Sequence, residues 1–248
     1  MKTIRRSVLV AVVAAFLCVS IQAGDFATLN FIGFSKNGRY LAFEEYGTHD
    51  GSGFPYSNIY FVDVVKNAYA ATPVRVRLES ETATERLARS RAKLGSTAAL
   101  KKFGIVAGNY GTLVVSRVLT DVSGNHFLSK DPGDDQTINF AEIIGSMYRR
   151  GNYDLKLKSI VTKTKECAYT ADDYKVYMLD LSIYDREQQK TIALQKDASL
   201  PSARGCPVNY AIQHVYLHED HVAVFLNTYH MGFEGPDMRY MVVTGRIK

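Results

Sequence analysis

The chain has no tryptophan and only three cysteines and six prolines among its 248 residues. The missing tryptophan argues mildly against a carbohydrate-binding platform, where an indole would be the expected ring to stack sugars. Nucleophile and phosphate motifs are also missing. There is no G-x-S-x-G elbow, no H-E-x-x-H pair and no P-loop. Strong charge is missing once the first 23 residues are set aside. The whole chain carries 30 basic and 25 acidic residues, but Lys2, Arg5 and Arg6 stand in that first segment, so the remainder is +2. Such a balance does not support nucleic-acid binding. Beyond that segment no apolar run reaches membrane length, so no transmembrane segment is expected in the mature chain.

The first 23 residues read as a secretory signal peptide. Three basic residues precede an apolar stretch from Ser7 to Ile21, and Ala23 is a small residue suited to the position before a cleavage site. The apolar run of 15 residues falls short of the roughly 20 that a permanent helix needs to span a bilayer. A lipoprotein site is disfavoured because Cys18 follows Leu17, where lipidation wants a small residue. The mature protein is expected to begin near Gly24 and to reside in the periplasm or outside the cell. In an oxidising compartment the two remaining cysteines, Cys167 and Cys206, are most simply paired. Residues 24–248 suffice for a single domain with a sizeable core, and no linker-like stretch divides them.

Short alternating runs dominate this region. Leu155 to Ile160, Tyr174 to Ile183, Val222 to Leu226, Tyr240 to Val243, Val114 to Leu119 and Ile59 to Val65 have the length and composition of strands. Lys36-Asn37-Gly38, Asp131-Pro132-Gly133 and Gly151-Asn152 mark turns. Ser80 to Phe103 lacks strand alternation and predicts a helical insertion. Thr82 and Glu85 suggest a capping box, Ala83, Leu87, Leu94 and Ala98 an apolar face, Glu85 and Arg89 an ion pair, and Gly95 and Gly104 stops. The fold class is therefore mainly β: a propeller-like or multi-sheet antiparallel domain with a short helical insertion near 80–103.

Two similar hairpins stand near the ends of the chain. Phe34-Ser-Lys-Asn-Gly-Arg-Tyr-Leu-Ala-Phe43, followed by I-Y-F-V-D-V from Ile59, reads as strand, tight turn, strand, loop and strand. It resembles the repeat of TolB-like β-propellers, with Lys36 and Asn37 where that repeat has proline and aspartate. Val215 to Phe225 can be laid on Gly33 to Phe43, and Arg239 to Thr244 on Asn58 to Val64. Taken whole, the chain resembles a family of predicted secreted bacterial proteins of uncharacterised function. The match rests on F-S-K-N-G-R-Y-L-A-F, D-G-S-G-F-P-Y-S, Arg204-Gly-Cys-Pro207 and Gly232-Phe-Glu-Gly-Pro-Asp-Met-Arg-Tyr240. It implies export and a shared fold, and it carries no catalytic residues.

The two intervening loops, Tyr46 to Tyr56 and Tyr229 to Asp237, are the candidate site, because loops on a rigid scaffold commonly carry function. If the hairpins are neighbours, His49, Asp50, His230, Glu234 and Asp237 would converge on a divalent metal or a sugar. Asp50-Gly-Ser-Gly53 lacks the alternating acids of a calcium loop. His214, His218 and His221 make a poor zinc set, since His214 and His218 lie about 13 Å apart at the strand rise, and a solvated turn explains the others. The acidic pairs Asp134-Asp135 and Asp172-Asp173 do not read as matched acid and base, since strand neighbours face opposite ways. The leading expectation is a non-catalytic binding or interaction module of the cell envelope, with an envelope protein or glycan as partner. The alternatives are a metal-assisted hydrolase acting on an envelope polymer and a purely structural envelope protein.

Overall fold

The computed structural model describes residues 24–80, 82–117, 135–144, 148–168, 170, 174–232 and 235–247. The expected leader, the Asp131-Pro132-Gly133 turn, Asp134, Asp172, Asp173, Phe233 and Glu234 lie outside these residues. Among the described residues thirteen strands form three antiparallel sheets beside one long helix. Sheet A holds β1 (Thr28–Phe34), β2 (Tyr40–Thr48), β3 (Pro55–Asp63) and β4 (Ala68–Tyr69) in that order, with β5 (Val74–Arg77) also paired to β3. Helix α1 (Glu85–Lys102) follows, then β6 (Thr112–Ser116). Sheet B is β7 (Gln136–Ile144), β8 (Tyr148–Thr162), β9 (Val176–Asp185) and β10 (Lys190–Lys196), a plain meander. Sheet C is β13 (Pro236–Arg246), β12 (His221–Met231), β11 (Pro207–His218) and then β6.

Burial fixes how the sheets stack. Side chains alternate along a strand, so a strand buried throughout must be covered on both faces. In β12 the eight residues from Val222 to Tyr229 are all buried. Val222, Val224 and Leu226 pack with Leu155, Leu157, Leu179, Leu181 and Ile183 of sheet B. Ala223, Phe225 and Tyr229 pack with Phe31, Phe34, Leu41, Phe43 and Tyr60 of sheet A. Sheet C is thus the middle layer. The far face of sheet A, with Ala42, Ile59 and Phe61, is covered by α1. The far face of sheet B carries exposed Lys156 and Lys158 beside Asp180, Ser182 and Tyr184 and meets solvent.

This stacking corrects the propeller expectation. In a ring every blade faces two neighbours, whereas here the outer faces of A and B are taken by a helix and by polar side chains. The multi-sheet antiparallel reading holds. The two end hairpins are indeed neighbours, facing each other across the A–C interface. Even their turns touch. Gly38, at φ +66°, lies so close to His218 that a Cβ there would stand 2.8 Å from its Nδ1 and 3.4 Å from that of His221. His218 packs on Phe34 and Asn109, so it is no freely solvated turn residue. Gly151-Asn152 is not a turn either, for both residues lie inside β8 at a bulge opposite Glu142 and Ile143.

The helix departs from its sequence reading in detail. Its N-cap is Thr84, whose side chain accepts the Leu87 N–H, so Thr82 does not cap it. Gly95 lies mid-helix, close against Val74, and the stop is Gly104 at φ +62°, with Ile105 N–H bonded back to Leu100. The buried stripe is Ala88, Ala92 and Ser96, while Leu87 and Leu94 are exposed. Small residues win the buried face because they let the helix sit close on the sheet. Arg89 feels the charge of Glu85, but its hydrogen bonds go elsewhere. It gives both Nε and Nη2 to the buried Glu44 of β2 at 2.9 Å, and its guanidinium lies 3.7 Å over the Tyr46 ring.

Glu44 also accepts from Asn30 and Ser57. Burial pushes its carboxyl up, but Arg89 and these donors outweigh that and hold it below the usual range. Removing one partner of such a pair strands the other charge. Arg89→Ala is expected to destabilise the fold by about 3 kcal/mol in urea unfolding. The double variant Glu44→Gln with Arg89→Met should recover most of that loss. A single-variant cost below about 1 kcal/mol would mean the pair behaves as a surface pair.

Candidate functional site

The segment before β1 closes the molecule. Ala27 N–H bonds to Met238 O and Met238 N–H to Asp25 O, so residues 25–27 run beside β13. This sets Asp25, 5 % exposed, at the meeting point of both candidate loops. Its Oδ2 lies 2.7 Å from His49 Nδ1 and accepts from Arg239 Nη2, and Tyr56 O–H reaches Oδ1 at 3.4 Å. The Asp25 N–H donates to Asp237 Oδ1 at 3.0 Å. His49 stacks on Tyr56 with ring centres 4.4 Å apart, and Arg239 lies over the same ring at 5.3 Å.

Of the five candidates, the structure therefore brings His49 and Asp237 together on Asp25. His230 faces Asp237 across the β12–β13 ladder. Asp50 stands apart, exposed, its Oδ1 accepting the Gly51 N–H inside its own turn. The loops are shorter than the sequence suggests, because the ladders run to Thr48 and Met231 and resume at Pro55 and Pro236. Backbone pairing continues through glycine and polar residues that break the apolar alternation. Among the described residues no three His, Cys, Asp or Glu side chains are grouped to hold a metal ion.

A cavity of about 640 Å³ opens where the three sheets meet. Sheet A supplies Glu45, Asn58, Tyr60, Asn67, Tyr69 and Arg75, and sheet C supplies His230, Arg239 and Tyr240. Strand β10 of sheet B supplies Gln195, and the segment after it supplies Pro201 and Arg204. Glu45 is only 3 % exposed. It accepts from Tyr60 O–H at 2.7 Å, Asn58 Nδ2 at 3.2 Å and the Tyr240 N–H at 3.1 Å. Among the described residues no basic side-chain nitrogen lies within 4 Å of it. Phe43, Tyr60 and Tyr69 stack in series, at 4.8 and 5.6 Å between centres, and Tyr69 at the end of the stack is 55 % exposed. Burial, then the neighbouring Glu45, push the Tyr60 phenol well above its usual range, and Arg75 opposes them. Tyr69 is raised by the same two causes in the same order, with Arg75 and Arg204 opposing. Both tyrosines therefore stay protonated donors.

Of these cavity residues the two candidate loops had suggested His230, and the others were not among the candidates. One signal was present. Glu44 and Glu45 sit side by side in an otherwise apolar strand, so one had to face each side of a sheet that is buried on both. A second depression of about 760 Å³, beside Lys36, Asn109 and His218, holds no phenylalanine or tyrosine.

The third wall of the cavity is the segment from Asp197 to Cys206. Arg204 is paired with the buried Asp197, and Cys206 is joined to Cys167 by a disulfide. Gly205 lies against His230. Burial, then the charge of Arg239, push the His230 imidazole down to about 4, against smaller opposing effects of Asp237 and the Cys206 backbone. A lowered histidine value means the unfolded chain takes up the proton first. The stability that neutral His230 contributes is complete above pH 6.5, falls between 6.5 and about 4, and is lost below. Wild type should therefore lose up to about 3 kcal/mol more than His230→Gln over that window in pH-dependent urea unfolding. Matching slopes would contradict the assignment.

The disulfide closes a 39-residue span, which on chain-entropy grounds stabilises by about 4 kcal/mol. Cys167→Ala with Cys206→Ala should lower the melting temperature and make the bonds between Ala198 and Gly205 the first cut by limited proteolysis. First cleavage elsewhere would show that the disulfide does not hold this wall.

No curated protein matches the sequence. The family described as Predicted secreted protein (DUF2259) matches residues 42–246, which span β2 through β13 and every wall of the cavity, and the chain belongs to this family.

Proposed function

We propose that the protein is an exported binding module of the periplasm or cell exterior, without catalysis of its own, whose cavity at the junction of the three sheets receives a small polar group of an envelope glycan. The reading rests on Glu45. A buried carboxylate is ordinarily matched by a cation. Asp25, Glu44, Asp154 and Asp197 each have an arginine. Glu45 and Asp185 have neutral donors instead, and of the two it is Glu45 that lines this cavity, with Arg239 acting on it only at longer range. Such a group, fixed by Tyr60, Asn58 and a main-chain N–H, is a preorganised acceptor for ligand hydroxyls.

The family's description as secreted supports the compartment, and a leader ending at Ala23 would deliver the chain there. The Asp25–His49 pair is the nearest thing to catalytic geometry. Its carboxylate is committed to Arg239, Tyr56 and a histidine that stacks on Tyr56, which suits closure of the fold.

Thermal melts of the oxidised chain from Gly24 test the reading against envelope glycan fragments, calcium, zinc, magnesium and EDTA. A ligand present at 100 times its dissociation constant adds about 2.7 kcal/mol. A glycan fragment is expected to raise the melt of wild type and to leave Glu45→Gln unmoved. A shift produced by a metal, reversed by EDTA and abolished by His49→Ala would overturn the reading in favour of a metal-assisted hydrolase.

A further inference from the structure

Building on the binding-module reading, we infer that the cavity takes a pyranose bearing an acidic substituent, its apolar face on Tyr69, its hydroxyls on Glu45 and the acidic group at Arg75. Three features of the walls lead there. Tyr69 closes a three-ring stack, so its inner side is spent on Tyr60 and its other side is open. A ring held rigidly in that way offers an apolar surface at little entropic cost. It supplies the aromatic surface that the missing tryptophan would otherwise have provided.

The polar complement suits hydroxyl groups better than a fixed charge. Glu45 accepts, Tyr60 and Asn58 already hold its oxygens in place, and Asn67 and Gln195 bring amides that are bonded to each other at 2.7 Å. Two of the three lining arginines are neutralised, Arg204 by Asp197 and Arg239 by Asp25. At neutral pH the lowered His230 is uncharged. An anion reaching the floor would meet Glu45, so the floor must take the neutral part of the ligand.

Arg75 differs from the other two. It is exposed on β5, and among the described residues no carboxylate lies within 4 Å of it. It stands in the same cavity and close enough to Tyr60 and Tyr69 to act on both phenols. A ligand stacked on Tyr69 with its hydroxyls inward leaves its outer substituent beside this guanidinium. A carboxylate there would gain a charge-assisted, bidentate contact.

Isothermal titration of the oxidised chain from Gly24 tests this with two probes: a disaccharide containing glucuronic acid, and the same disaccharide with its carboxyl reduced to the alcohol. The acidic probe should bind about tenfold more tightly, the preference weakening with added salt. Arg75→Gln should erase the preference by weakening the acidic probe about tenfold. Tyr69→Ala should weaken both probes by about tenfold or more. Arg75 is exposed, so its variant is expected to melt like wild type, and Tyr69→Phe, which keeps the ring on Tyr60, should bind both probes nearly as wild type does. Equal affinity for the two probes, or a preference that survives Arg75→Gln, would overturn the acidic-sugar assignment and leave the binding module standing. Binding of neither probe would also overturn it. The broader reading would fall with it only if no glycan fragment moved the melt of wild type.

Discussion

Everything in this fold depends on the middle sheet being buried on both faces. Antiparallel sheets commonly keep one face for water. Sheet C cannot, because β12 presents Val222, Val224 and Leu226 to one side and Ala223 and Phe225 to the other, all without exposure. Two further sheets are therefore required as covers. Each cover has one outer side left, and the two meet it differently: A has an apolar side beneath a helix, B a polar side turned to solvent. The cavity is a by-product of that arrangement. It lies along the border where both covers reach sheet C, with Glu45 in its wall.

The structure spends arginine to keep acids inside. Asp25, Glu44, Asp154 and Asp197 are each met by a guanidinium. Two of these pairs join distant parts of the chain, Arg89 tying the helix to sheet A and Arg239 tying the last strand to the first residues. These contacts hold the elements in register where apolar packing alone would allow sliding. Glu45 follows a different rule in the same strand, one residue from Glu44, and that contrast locates the site.

Much of the fold was legible in residue order. The strand runs in β3, β8, β9, β12 and β13 were visible because apolar and branched residues cluster there, whereas the meeting of the two end hairpins was only a condition on the loop site and is met across a sheet interface, not by a closed ring. The disulfide followed from cysteine count. Helix α1 was visible as a segment but not by its buried face, since alanine and serine carry no hydrophobic signal and the exposed Leu87 and Leu94 outshone them. The end of β2 was obscured by Gly47 and Thr48, which pair through the backbone alone. The site was only half legible. His49 and Asp237 share a neighbour, but that neighbour is Asp25, whose importance arises from a partner 214 residues away. No local pattern carries such information.

That same separation governs the order in which the molecule can be finished. Residues 25–27 precede every described strand in synthesis, and the strand that receives them, β13, is the last of those strands to be made. Contacts of such high sequence separation are costly to close and slow to form. Until β13 arrives, the edge of β12 is unpaired and Asp25 lacks its guanidinium. Completion of this fold therefore waits for β13, and a chain still without it is the species that a holding chaperone would meet.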